Sequence, residues 1–154
     1  MNLIYRATRD GFSASSFHSR CDGQANTLTV VKSEHGNIFG GFTTKAWTSK
    51  NVWISDPEAF IFSFINKEDK PFKVLVSNGG QYAIAGDSKY GPRFGGDIEI
   101  KSNSNTDRES FSYFSYHYKH SDYSSGTGRA AKILAGSVIY KTLEIEVFNL
   151  AEVG

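Results

Sequence analysis

Hydrophobic and polar residues alternate with a short period along most of this chain, and that alternation predicts strands. Leu143 to Leu150 is the clearest case: Leu143, Ile145 and Val147 fall on one face and Glu144 and Glu146 on the other, as in a half-buried strand. Leu3 to Arg6 reads as a short first strand, turned by Arg9-Asp10-Gly11. Leu28 to Lys32 and a second run through Phe42 are joined by Ser33 to Asn37, a loop with glycine, and read as a hairpin. Ala59 to Ile65 follows an Asp56-Pro57-Glu58 turn and is apolar on both faces, which predicts a central strand. Further strands are expected at Phe72 to Val76, Tyr82 to Ala85 and Asp97 to Ile100, with a polar hairpin loop over Lys67 to Pro71. From Phe111 to Tyr118 aromatics alternate with serine, so an extended chain would set Phe111 and Tyr113 against Phe114, Tyr116 and Tyr118. The polar segments 101–109 and 120–128 are expected to be loops, the second a mobile one.

One stretch has the helical period. Ala14, Phe17 and Cys21 recur at spacings of three and four behind Ser13, whose hydroxyl can cap the first turn. Gly23 can end this helix, and Phe12 can staple against Phe17. With one apolar side, the helix should lie over a sheet. About eight strands and a helix give a mainly β (α+β) fold: an antiparallel β-sandwich of two sheets with one or two flanking helices.

Glycine adds a second pattern. Phe39-Gly40-Gly41 and Phe94-Gly95-Gly96 both enter strands, where glycine offers nothing to pack. Gly40, Gly41, Gly95 and Gly96 therefore mark bulges, bends or places where neighbouring segments come close.

The 154 residues suit a single domain spanning 1–154. The ends lie almost on strand residues, as in a domain excised from a longer protein, although a stand-alone protein is equally allowed. The lone Cys21 excludes an internal disulfide framework and makes a reducing compartment the default. A net charge of +1 with scattered Lys and Arg gives no electrostatic footprint for nucleic acid or an anionic membrane. No apolar run approaches the roughly 20 residues of a membrane helix, so membrane insertion is not expected.

Candidate chemistry is sparse. His18, His35, His117 and His120 have no metal-ligand spacing, and neither a metal nor a cofactor is expected. Gly126-Thr127-Gly128-Arg129-Ala130-Ala131 matches a dinucleotide fingerprint, yet it follows serine-rich coil rather than a strand and reads as a loop. Ser137 has no obvious base. Glu144 and Glu146, about 7 Å apart on one strand face, have the separation of a hydrolytic carboxylate pair, although such alternation is more often a solvated side. Asp97 and Glu99 carry the same ambiguity. Cys21, beside Arg20, is either a small buried hydrophobe or a thiol with lowered pKa.

Several stretches together resemble the TLDc domain of the oxidation-resistance family. Leu3 to Phe12 resembles its opening strand and turn, and Phe17-His18 with Cys21-Asp22 its first helix. Thr27 to Lys32 with Phe39-Gly40-Gly41-Phe42 to Trp47 is similar to its first hairpin, and Asp56 to Ser63 to the next signature. Gly91-Pro92-Arg93-Phe94-Gly95-Gly96-Asp97-Ile98 matches its Gly-Pro-x-Phe-Gly-(Gly)-x-Asp-(Leu/Ile) motif, and Leu134 to Ser137 with Leu143 to Leu150 resembles its close, Glu144 to Phe148 being the most specific part. The resemblance implies a β-sandwich flanked by helices, protection against oxidative stress, and binding and regulation of the vacuolar proton-pumping ATPase. That role is non-enzymatic, carried by a cytoplasmic monomer held at organelle or vesicle surfaces by its partner. Trp47, Trp53, Glu144 and Glu146 are the expected interaction residues. The alternative is a redox-active or hydrolytic antioxidant domain acting through Cys21 or the carboxylate pair.

Overall fold

The computed structural model describes residues 1–150. Its larger sheet contains β1 (Asn2–Arg6), β12 (Thr142–Asn149), β2 (Thr27–Ser33), β3 (Ile38–Thr43), β5 (Phe60–Ile65) and β6 (Phe72–Leu75), in that spatial order and all antiparallel. A second sheet carries β11 (Ile139–Tyr140), β10 (Ser110–Phe111), β9 (Ile98–Lys101) and β8 (Tyr90–Phe94). A two-stranded ribbon of β4 (Val52–Ile54) and β7 (Ile84–Gly86) stands beside them. The inner faces meet where Phe39 packs on Tyr140 at 5.8 Å, and Trp47, in the loop after β3, packs on Phe94 at 5.5 Å. The fold is the expected β-sandwich with small flanking helices.

The last strand lies between the first two of its sheet. Leu3 and Tyr5 pair with Phe148 and Val147 on one side of β12, while Val31 and Thr29 pair with Ile145 and Val147 on the other. Ile145 and Val147 are buried, but Leu143 is 50% exposed, against expectation. A register shift between Thr142 and Glu144 is the cause, for a bulge exchanges the faces of the residues beyond it.

Helix α2 (Ala14–Cys21) begins as expected, with Ser13 Oγ accepting the Ser16 N–H at 3.1 Å. Its buried face is Ala14, Phe17 and Cys21, to which the structure adds His18. That imidazole is satisfied by Asp22 at 2.7 Å and by the Asp87 and Tyr90 carbonyls at 2.8 Å. The predicted turn at Arg9-Asp10 is a single helical turn, α1 (Ala7–Asp10), and α3 (Gly128–Ile133) follows Thr127.

Two strand expectations change. β5 is interior, paired between β3 and β6, but it is not buried on both faces, and its last residues Phe64 and Ile65 are exposed. Its remaining outer apolar surface is covered locally: Phe60 stacks on Phe42 at 5.2 Å under the Lys73 ammonium, 4.5 Å from the Phe60 ring. Beyond β10 the aromatic run leaves the ladder, because Ser115 takes a positive φ of 69° and the following N–H groups bond to a carboxylate. Phe114 and Tyr118 point into the core, whereas Tyr116 is exposed with Tyr113.

Candidate functional site

The hairpin between β8 and β9 carries the second Phe-Gly-Gly. Gly95 has φ of +56°, and a Cβ there would lie 2.8 Å from His117 Cβ, so only glycine fits beneath that histidine. Asp97, fully buried two residues later, gathers the loop that follows β10. Its carboxylate accepts the N–H groups of His117 at 2.8 Å, Tyr116 at 3.0 Å and Tyr118 at 3.3 Å. Burial pushes the carboxyl up to about 6, against those N–H donors, which favour the charged form. Tyr118 completes the anchor by donating its hydroxyl hydrogen to the Ala83 carbonyl at 2.6 Å.

This anchoring sets a row of rings on the surface. Trp53 of β4 meets Tyr82 at 5.4 Å; Tyr82 meets His117 at 5.2 Å; His117 meets Tyr116 at 4.4 Å; and Tyr116 meets Tyr113 at 6.1 Å. Trp53, Tyr82, Tyr113 and Tyr116 are each 40–51% exposed, so the row is a surface feature and not part of the core. Below it, the Arg93 guanidinium lies 4.9 Å from the Trp53 ring and 5.2 Å from Tyr90, and pairs with Glu99 at 2.6 Å. That packing fixes Trp53 in place. Beside Tyr82 and Tyr116 opens a cleft of about 460 Å³, walled also by Ser77, Asn78, Gln81 and Lys119.

The structure separates the residues singled out from sequence. Trp47, expected as an interaction residue, is fully buried, with Nε1–H donating to Thr27 Oγ1 at 3.0 Å and the ring against Phe17 at 5.3 Å. It cannot touch a partner in this fold. Cys21 is also fully buried, and burial pushes its thiol well up, opposite to what a nucleophilic thiolate needs. Glu144 and Glu146 are held by the N-terminal segment: Glu144 accepts from Thr8 N–H at 3.1 Å, and Glu146 pairs with Arg6 at 2.6 Å. Each carboxylate has its own partner, and neither is poised against the other.

Ser137 does meet a histidine, His35, with Nε2 at 3.1 Å from Oγ. Its hydroxyl hydrogen, however, goes to the Ile139 carbonyl at 2.6 Å, so the imidazole faces a lone pair and not the proton a base would take. Thr127 caps α3, so the Gly126 to Ala131 stretch, expected to be a loop, opens a helix; no strand precedes it as the phosphate-binding geometry requires. Among the described residues, no group of three or more His, Cys, Asp or Glu is placed to hold a metal ion. No helix among them is long and apolar enough to cross a membrane.

Gly40 and Gly41 lie where β3 is crowded. A Cβ on Gly40 would run into the Thr29 carbonyl, and one on Gly41 would come within 2.6 Å of the Phe94 ring. Sequence reasoning passed over Tyr82, Arg93 and Tyr116 as parts of the surface row. The alternating aromatics from Phe111 to Tyr118 are the available signal, but read as an extended run they set Tyr113 and Tyr116 on opposite faces.

The family model of the TLDc domain matches residues 1–151.

Proposed function

The chain belongs to the TLDc domain family, and from that premise we propose that it is a non-enzymatic interaction module in oxidative-stress protection. On this reading it binds and regulates the vacuolar proton-pumping ATPase, and acts as one monomeric domain of the cytoplasm, brought to organelle surfaces by that partner. The observation that carries the reading is the exposed row Trp53, Tyr82, His117, Tyr116, Tyr113. Fixed aromatic rings at a surface are the usual anchors of protein interfaces, because they offer large apolar area with little side-chain entropy to lose. Of the four interaction residues expected from sequence, Trp53 is retained, as the anchor at one end of the docking row. Trp47 is core, and Glu144 with Glu146 tethers the N-terminal segment.

Affinity purification of the domain from a eukaryotic extract, with bound proteins identified by mass, tests this. Peripheral subunits of the ATPase should be recovered by the wild type and lost with Trp53→Ala. Their absence from the wild-type eluate would contradict the assignment.

A further inference from the structure

The cleft beside the aromatic row has a marked chemical asymmetry. Of its lining side chains, the basic ones are Lys119 and His117, and no acidic residue borders it. Lys119 is exposed and has no ion pair among the described residues. His117 Nδ1 accepts the Gly96 N–H at 2.9 Å, so that nitrogen carries no proton and the ring's hydrogen resides on Nε2. Nε2 has no hydrogen-bond partner among the described residues, which leaves a fixed donor on a histidine that lines the cleft. Burial, and after it the charges of Arg93 and Lys119, holds the His117 pKa below its ordinary value, and the buried Asp97 carboxylate lies 4.0 Å from Nδ1. The Ser77 hydroxyl accepts the Lys119 N–H at 3.0 Å, and the Ser77 N–H donates to the His117 carbonyl at 2.9 Å, so the two walls are tied together.

We propose that this cleft receives an acidic side chain from a peptide segment of the partner. Its carboxylate is taken by the Lys119 ammonium and the His117 Nε2–H, while the flanking apolar residues of the segment lie against Tyr82 and Tyr116. Charge complementarity selects this occupant: an anion meets an unpaired cation and a neutral donor, whereas a basic segment meets repulsion. The open mouth and adjoining ring row suit an extended chain better than a small enclosed ligand. The inference rests on the docking reading above and adds the chemistry of the partner segment.

The test is fluorescence anisotropy of a labelled peptide alternating Glu with Phe, titrated with the 154-residue chain. Its counterpart with Gln in place of Glu should bind about tenfold more weakly, and Lys119→Glu should weaken the acidic peptide by at least about as much. Lys32→Glu, an exposed change on β2 outside the cleft, should leave the affinity within about twofold. In the wild type, the peptide should also shift the His117 ring proton resonances. Equal affinity for the Gln peptide, indifference to Lys119→Glu, or displacement of the peptide by inorganic phosphate alone at comparable concentration would each overturn the proposal. No ATPase enters this assay, so its failure is distinct from a failure to recover ATPase subunits.

Discussion

The ring of Phe94 occupies the space that a side chain at Gly41 would fill: three of its atoms lie 2.6–2.7 Å from where that Cβ would be. The two Phe-Gly-Gly repeats are therefore halves of one contact. The first supplies a gap in β3 of the large sheet, and the second supplies the ring from β8 of the small one. Phe94 in turn packs on Trp47, so the sandwich closes around a glycine and a tryptophan from one stretch and a phenylalanine from a distant one.

Gly41→Ala should destabilise the domain by about 1–3 kcal/mol through overpacking. Phe94→Leu, made in the Gly41→Ala background, should recover part of that loss. Urea unfolding of the four proteins gives the coupling. Gly40→Ala should be more damaging, since the group it strikes is the Thr29 backbone carbonyl, which cannot rotate away.

The two tryptophans should divide cleanly. Trp47→Ala empties a buried site and breaks the bond to Thr27, and should cost about 3–5 kcal/mol in thermal or urea unfolding. Trp53→Ala removes a half-exposed ring, should cost about 1 kcal/mol or less, and should appear in binding instead.

This contrast shows what could be read from sequence. The strands of the larger sheet, the capped helix and the glycine pairs follow from local periodicity and turn chemistry, and they were legible; the short strands β4, β8 and β11 carry too little period to be read. The burial of Trp47 was not. Its neighbours Thr44, Lys45, Thr48, Ser49 and Lys50 are polar, and the groups that enclose it, Phe17, Thr27 and Phe94, come from remote parts of the chain. For the same reason the aromatic row was missed. Period-two alternation at 111–118 predicts a strand, but the buried Asp97 claims the N–H groups that a ladder would use.

Cys21 should be silent to a thiol reagent in the folded protein and react fully in denaturant. Cys21→Ala should keep the fold at a cost of about 1–2 kcal/mol. Stoichiometric labelling under native conditions, at a rate faster than unfolding, would contradict its burial on the inner face of α2.

Asp97 should leave a signature in the pH dependence of stability. An unfolded Asp titrates near about 3.9, and the folded carboxyl is pushed up to about 6, so the native state binds the proton more tightly. Stability from this group is fully present below about pH 4 and is lost as pH rises through about 6, on the order of 2–3 kcal/mol. Asp97→Asn should abolish that slope. It should also speed hydrogen exchange at the amides of 116–118, because an amide oxygen cannot accept all three N–H groups.

Glu146→Lys should loosen the N-terminal strand by about 1 kcal/mol or less, as expected for an exposed pair with Arg6. Partner binding should be unchanged, and a large loss of binding would return this carboxylate to the docking surface.

The most direct measurement is the affinity of the purified domain for isolated peripheral subunits of the vacuolar ATPase, compared between wild type, Trp53→Ala and Trp47→Phe. Binding by the wild type and Trp47→Phe, with a loss of at least about tenfold for Trp53→Ala, is the expected result. Equal affinity in all three proteins, or none in the wild type, would contradict docking through the aromatic row.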